Sequence, residues 1–274
     1  YSKLARNVYS RYTDLVEPYG MDECWLDISG TEHIFGSPEK VANEIREMIK
    51  FELGLTISVG VSFNKIFAKL GSDMKKPDAV TVIPQDTFRE KIWGLPAADL
   101  LGVGRATQRV LDSYCIKTIG DLAKTDPDFL KRKLGKNGTA LWQYANGNEH
   151  SRVTKTDFVS PIKSVGHGIT TVKDLEKNEQ VWPVFLELTQ DIGHKLRVHQ
   201  KCAMESLFTY GTTRFCQSNG KRSWICLHSP RCSLQRLLSA YLRKDTTGEI
   251  QFALSRFRLS IWCHRTRPDR LICL

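Results

Sequence analysis

Gly20-Met21-Asp22-Glu23-Cys24-Trp25-Leu26-Asp27-Ile28 is a short apolar run with acids embedded in it. We read residues 21–28 as a β-strand that Ser29-Gly30 ends. Acids inside an apolar strand are costly unless they are paired or bound to metal. Asp22, Glu23 and Asp27 fall within six residues. That density points to a hard-cation site, because Mg²⁺ is held by few carboxylates together with substrate phosphates. The competing reading is a strand end with solvated acids, and this run alone leaves both open. Successive strand residues face opposite sides. Asp22 and Glu23 can therefore share a site only at a strand end or bend, which a turn at Gly20 would supply.

Working outward, helices and strands alternate. The spacing predicts an amphipathic helix over 2–15 (Leu4, Val8, Tyr12, Leu15), broken at Pro18-Tyr19-Gly20. A second helix, 38–53, has Pro near its start and Val41, Ile45, Ile49 and Leu53 on one face. Residues 55–62 are β-rich, 64–73 helical, 79–83 a strand and 86–93 a helix. This alternation is an α/β layer structure through about residue 94. Residues 95–147 read as several short helices broken at Gly102-Val103-Gly104, Gly120, Pro127, Gly135 and Gly138, hence a small helical domain. Residues 148–162 are polar and aperiodic, a linker. A strand over 163–171 and a long amphipathic helix over 178–198 (Val181, Phe185, Leu188, Ile192, Leu196) open a third domain.

Composition sets bounds on this picture. The chain has 274 residues, 40 Lys+Arg, 30 Asp+Glu and a formal net charge of +10. That length favours two or three domains. A hydrophobic fraction of 41% with 26% charged residues excludes global disorder. No apolar run reaches membrane-span length and no signal peptide is visible. The Cys residues lack C-x-x-C spacing, so a reducing cytoplasm is the expectation. The chain starts at Tyr1 and reads as a fragment. Its charge is uneven: residues 206–274 hold 12 Lys+Arg against Asp245, Glu249 and Asp269, and five of the eight Cys. The rest is nearly neutral, so a boundary is expected near 205.

Two further motifs carry chemistry. In Asn64-Lys65-Ile66-Phe67-Ala68-Lys69-Leu70-Gly71-Ser72-Asp73-Met74-Lys75-Lys76-Pro77, Lys65 and Lys69 lie on one helical face and Lys76 lies just beyond the helix. Lysines beside carboxylates suit a phosphorylated substrate; a solvated basic face is the alternative. In Leu100-Leu101-Gly102-Val103-Gly104-Arg105-Ala106-Thr107, a helix–Gly-x-Gly–helix hairpin presents backbone N–H groups to phosphate. A plain interhelical turn is the alternative.

In this order and spacing the segments resemble the Y-family (UmuC/DNA polymerase IV-like) translesion DNA polymerases. The resemblance is carried by residues 16–30, 58–82, 100–123, 134–147 and 161–166 (Pro161-Ile162-Lys163-Ser164-Val165-Gly166). It implies an α+β / α/β multidomain fold: partial palm at 1–94, helix-hairpin-helix thumb at 95–150, linker at 151–162 and the start of a little-finger α/β sandwich at 163–205. It implies that Asp22 and Glu23 are the catalytic and metal-ligating carboxylates. Lys76 would contact the incoming nucleotide, and Asp27 would be structural. Gly102, Val103, Gly104, Arg105, Lys163 and Ser164 would bind DNA. The implied chemistry is Mg²⁺-dependent nucleotidyl transfer to a primer 3′-hydroxyl, on primer-template DNA and dNTP. The implied setting is damage tolerance in the SOS response, in the cytoplasm, by a monomer with no membrane. A sliding clamp is a further expected partner, through a peptide not found in this sequence. The alternative is a non-catalytic, damaged-DNA-binding remnant.

Two departures qualify the resemblance. The family's N-terminal segment, with its first metal aspartate, is not in this sequence, so the two-metal site is expected to be incomplete and the chain inactive alone. The family pattern also stops at 202–206. Reading Leu207-Phe208-Thr209-Tyr210-Gly211-Thr212-Thr213 from the third base of each codon permits V-Y-V-R-D-N, a strand typical of the family. The same shift at Lys244-Asp245-Thr246-Thr247-Gly248 permits R-Y-H-W, and at Ile250-Gln251-Phe252-Ala253 it permits P-V-R. We therefore expect a frameshift near 200–206, making 206–274 an anomalous tail with no reason to match an element period.

Overall fold

The computed structural model describes residues 1–175 and 177–201, and the backbone of 205–212, 223–226 and 254–262. The chain divides into two units, Tyr1–Phe158 and Val159–Leu274.

The first unit opens with α1 (Ser2–Tyr9), which ends sooner than the apolar stripe predicts. The chain leaves the helix because residues 13–15 bond to the far end of the acid-bearing run. Thr13 Oγ1 donates to Asp27 O at 2.7 Å, and Asp27 N donates to Leu15 O at 3.1 Å. Pro18 and Tyr19, expected as a break, lie instead in β1 (Val16–Tyr19). This strand pairs antiparallel with β2 (Glu23–Leu26) in the register Val16↔Leu26 to Tyr19↔Glu23. Proline is tolerated in such a strand when it has an unpaired edge. Among the described residues β1 pairs only with β2. The hairpin turn is Gly20-Met21-Asp22, with Gly20 at φ +73.

After the short α2 (Glu32–Phe35), α3 (Pro38–Leu53) has the predicted bounds. Ser37 Oγ accepts from Lys40 N at 3.4 Å, Pro38 opens the helix, and left-handed Gly54 closes it. Its stripe of Val41, Ile45 and Ile49 packs on Val8, Tyr12 and Val16.

Next come β3 (Val59–Ser62), α4 (Lys65–Met74), β4 (Val80–Ile83) and α5 (Phe88–Ile92). β3 and β4 pair in parallel, Val59↔Val80 to Ser62↔Ile83. Asn64 Oδ1 caps α4 by accepting from Phe67 N at 2.8 Å. α4 lies so close on β3 that a Cβ at Gly60 would stand 1.9 Å from Ala68 O.

A 3₁₀ turn (Ala97–Asp99) leads to α6 (Arg105–Ser113), α7 (Ile119–Lys124), α8 (Pro127–Leu134) and α9 (Lys136–Ala145). A Thr118/Asp121 capping box starts α7, and Asp126 with Pro127 starts α8. One core runs across residue 94, joining Phe67, Ile83 and Ile92 to Leu111, Ile119 and Leu141.

Beyond α9 the expected linker is aperiodic, but it is strapped to the first unit. Asn64 Nδ2 donates to Gly147 O at 3.4 Å, and Lys65 N donates to Glu149 Oε2 at 3.3 Å. Thr154 N donates to Glu17 Oε2 at 2.8 Å, and Thr156 N donates to Asp14 O at 2.9 Å. Lys65 Nζ closes the strap, donating to Glu17 Oε2 and to Arg152 O, each at 2.8 Å.

The second unit contains β5 (Ser164–Leu175), α10 (Asn178–Val198), β6 (Glu205–Thr212), β7 (Ser223–Cys226) and β8 (Leu254–Trp262). Its antiparallel sheet has the order β5-β8-β6-β7. Val181, Phe185 and Leu188 of α10 pack on Ile169 and Leu175 of β5. His167 Nδ1 lies 2.7 Å and Lys195 Nζ 2.6 Å from Asp191 Oδ2, linking α10 to β5. Three tail segments are thus extended and paired, where no element period was expected. They contain Thr, Tyr, Phe, Ile and Trp, residues of high strand propensity. The shifted-frame segments over 244–248 and 250–253 lie outside the described residues.

Two outcomes follow. Gly60→Ala should lower unfolding free energy by about 2–4 kcal/mol, since α4 must move off β3. Gly30→Ala, with nothing within 4 Å of the added Cβ, should change it little; urea melts of the full chain measure both. The second concerns Glu17. Burial raises its pKa, but the Lys65 ammonium and Thr154 N–H lower it more, so it ends below the usual carboxylate value. Its contribution is therefore complete above the unfolded pKa of about 4.3 and is lost as pH falls through the lower folded value. Glu17→Gln should cost about 1–2 kcal/mol near pH 7. It should also flatten the acid limb of stability against pH, as read from melts at a series of pH values.

Candidate functional site

The hairpin turn settles the geometry of the two adjacent acids. β2 begins at Glu23, so Asp22 lies in the turn and the strict alternation of a strand does not separate the two side chains. Asp22 is exposed, Glu23 half-buried, and both line one cleft with Lys69, Ser72 and Lys76. Trp25 orients the hairpin by donating Nε1 to Lys65 O at 2.9 Å.

The far wall is α4 and the turn after it. Lys69 Nζ lies 2.9 Å from Glu23 Oε1 and 2.6 Å from Asp73 Oδ2. Lys76 Nζ lies 2.7 Å from Asp73 Oδ1. Burial lowers the Lys69 pKa, but its hydrogen bonds to Asp73 and Glu23 raise it more, so the ammonium is firmly charged. For Asp73, burial raises the pKa and the bonds from Lys69 and Lys76 bring it below the usual range.

Not every predicted lysine serves this cleft. Lys65, read with Lys69 as one basic face, is 11% exposed in its side chain and is taken up by Glu17 and Arg152 O. It is a structural ammonium, because the hairpin and the strap converge on it. Asp27 is bound locally: its Oδ1 accepts from Ser29 N at 3.0 Å and shapes the turn after β2. Sequence reasoning missed Asp73. Its spacing, four residues after Lys69 and three before Lys76, was the signal that could have found it.

The donor set is two adjacent carboxylates with hard oxygens, and Glu23 already draws an ammonium to itself. That fits one Mg²⁺ that keeps water or phosphate oxygens on its other positions. It does not fit a two-cation clamp. Among the described residues no group of three His, Cys, Asp or Glu gathers to hold a metal. Cys24 and Cys115 are free thiols.

The Gly-x-Gly segment is a turn, but the helix expected before it is only the 3₁₀ turn Ala97–Asp99. Gly102 adopts φ +96, Val103 packs on the core, and Gly104 precedes α6, whose N-terminus has no side-chain cap. Arg105 opens α6 and is exposed. A second turn meets the Gly-x-Gly turn from 35 residues away, with no local pattern to mark it. Gly135, at φ +63, precedes α9, also without a side-chain cap, and Asn137 Nδ2 lies 3.5 Å from Gly102 O. The first turn of α9 thus meets the backbone of the Gly-x-Gly turn that precedes α6. Lys163 and Ser164 are exposed at the start of β5, in the second unit.

Residues 1–73 match the impB/mucB/samB family. DNA polymerase IV of Acetivibrio thermocellus is 55% identical over 199 residues, 73% of this chain and 50% of that protein. DNA polymerase IV 2 of Bacillus subtilis is 36% identical over 194 residues, 69% of this chain and 47% of that protein. The chain therefore spans about half the length of the curated relatives it matches. Among solved structures, a Y-family DNA polymerase chimera matches the fold with a TM-score of 0.78, covering 95% of this chain and 74% of that one at 19% identity. The acid-bearing hairpin, the sequence similarity and the fold agree: the chain belongs to the Y family of DNA polymerases, the UmuC and DNA polymerase IV-like group.

Proposed function

We propose that this chain carries the carboxylate pair and the DNA-backbone clamp of a translesion DNA polymerase acting in damage tolerance. The observation that carries the reading is the Asp22–Glu23 turn facing Lys69 and Lys76 across one cleft. Asp22 and Glu23 would hold Mg²⁺, and Lys76 would meet the phosphates of the incoming dNTP. When bound, Mg²⁺ supplies charge neutralisation at the reacting phosphate oxygens. Gly102, Val103, Gly104 and Arg105 would clamp primer-template DNA through backbone N–H groups, with Lys163 and Ser164 following its phosphates. In this reading residues 1–94 are palm, 95–150 thumb, 151–162 linker and 163–205 the start of the little finger.

Nucleotidyl transfer of this type uses two cations, one for the attacking hydroxyl and one for the leaving group. The carboxylate pair accounts for one. The chain alone should therefore bind primer-template DNA without extending the primer. Fluorescence anisotropy should show affinity falling steeply with salt, and Arg105→Ala should reduce the log–log salt slope by about one. Binding that does not respond to salt would count against the clamp. Robust primer extension by the pure chain would overturn its proposed inactivity.

We also propose that residues 206–274 are the product of a shifted frame. Similarity to the relatives extends over 199 and 194 residues of this chain, close to the length that precedes the compositional break. The encoding DNA, read one frame over, should spell V-Y-V-R-D-N beneath Leu207 to Thr213. Codons that cannot be read that way would dispose of the frameshift and leave a divergent basic domain.

A further inference from the structure

Lys69 stands between two carboxylates that belong to different elements. Glu23 Oε1 is on β2 and Asp73 Oδ2 is one turn further along α4, at 2.9 and 2.6 Å from the same ammonium. The Lys69 side chain is 17% exposed and those of Glu23 and Asp73 are 38% and 41% exposed, so the ammonium is the most enclosed member. A divalent cation coordinating a carboxylate oxygen sits about 2.1 Å from it. A cation on Glu23 Oε1 would thus stand against the Lys69 ammonium, and like charges in contact repel strongly in a partly enclosed cleft.

We infer that Lys69 is a positioning residue: it holds Glu23 until a divalent cation arrives, and Asp73 then keeps the displaced ammonium beside the site. The inference rests on Asp22 and Glu23 being cation ligands. Lysine suits the role because its charge sits on a flexible stem with three rotatable donors. Release from Glu23 does not strand the ammonium, because Asp73 already bonds it within the same helix. Asp73 also bonds Lys76 through its other oxygen. Displacement therefore leaves both ammonium groups on that one carboxylate next to the cation, an arrangement that suits a cation–phosphate ligand.

The test is Mn²⁺ affinity of the full chain, read from the electron paramagnetic resonance signal of free Mn²⁺. Circular dichroism confirms that each variant is folded, and Lys69→Gln replaces Lys69→Met if the latter is not. Lys69→Met should tighten Mn²⁺ binding about fivefold, and Asp73→Asn, which leaves the ammonium to Glu23 alone, should weaken it by a similar factor. Damage to the structure would weaken both, so the opposite signs are diagnostic. Lys75→Met removes the same charge from an exposed neighbour and should change affinity by less than about twofold. Equal tightening by Lys69→Met and Lys75→Met would reduce the effect to general charge and overturn the inference. Loss of binding in Glu23→Gln with no change in Lys69→Met would overturn it alone. Equal Mn²⁺ binding by wild type and Glu23→Gln would overturn the carboxylate reading and this inference together.

Discussion

Lys65 is where three pieces of the first unit meet. Its carbonyl accepts from Trp25 on the acid-bearing hairpin, its N–H donates to Glu149 on the strap, and its ammonium bonds Glu17 and Arg152 O while lying 5.4 Å from the Trp25 ring centroid. An ammonium this enclosed must be fully paired, because removing it from water costs more than a single contact returns. Glu17, with its pKa lowered despite burial, is the matching anion. The result is that the hairpin cannot turn relative to α4 without breaking several bonds at once. The positions of Asp22 and Glu23 follow from that constraint.

The cleft inherits its electrostatics from this arrangement. With the hairpin fixed on α4, Glu23 faces Lys69, and Lys69 and Lys76 share Asp73. Positive and negative groups alternate around the cleft, and Glu23, Lys69, Asp73 and Lys76 belong to one hydrogen-bonded set. Any change in the charge at Glu23 is therefore felt at Lys76 through two side chains.

Much of this was legible in the residues. Proline and glycine punctuation with a 3.6-residue stripe gave α3 its bounds, and Asn64 marked the start of α4. The errors are local and have physical causes. The stripe over 2–15 is continuous in sequence, yet the helix stops at Tyr9 because Thr13 and Leu15 bond to Asp27. Pro18 reads as a breaker, yet it sits in a strand whose unpaired side asks nothing of its missing N–H. Lys65 and Lys69 read as one basic face; burial and separate carboxylate partners made one structural and the other part of the site. Contacts such as Asn137 with Gly102, across 35 residues, leave no local pattern to read.

The sequence by itself determined most helices of the first unit, the acid pair and the family, because each rests on residues close together in the chain. Local propensity, turn chemistry and motif spacing act over a few residues. Only the tertiary structure decided which lysine meets which carboxylate, that Asp73 joins the site, that Asn137 meets the Gly-x-Gly turn, and that the linker is a strap. Those are matters of burial and long-range hydrogen bonding. An ionised side chain takes the partner that the fold brings within about 3 Å of it, whatever its spacing along the chain.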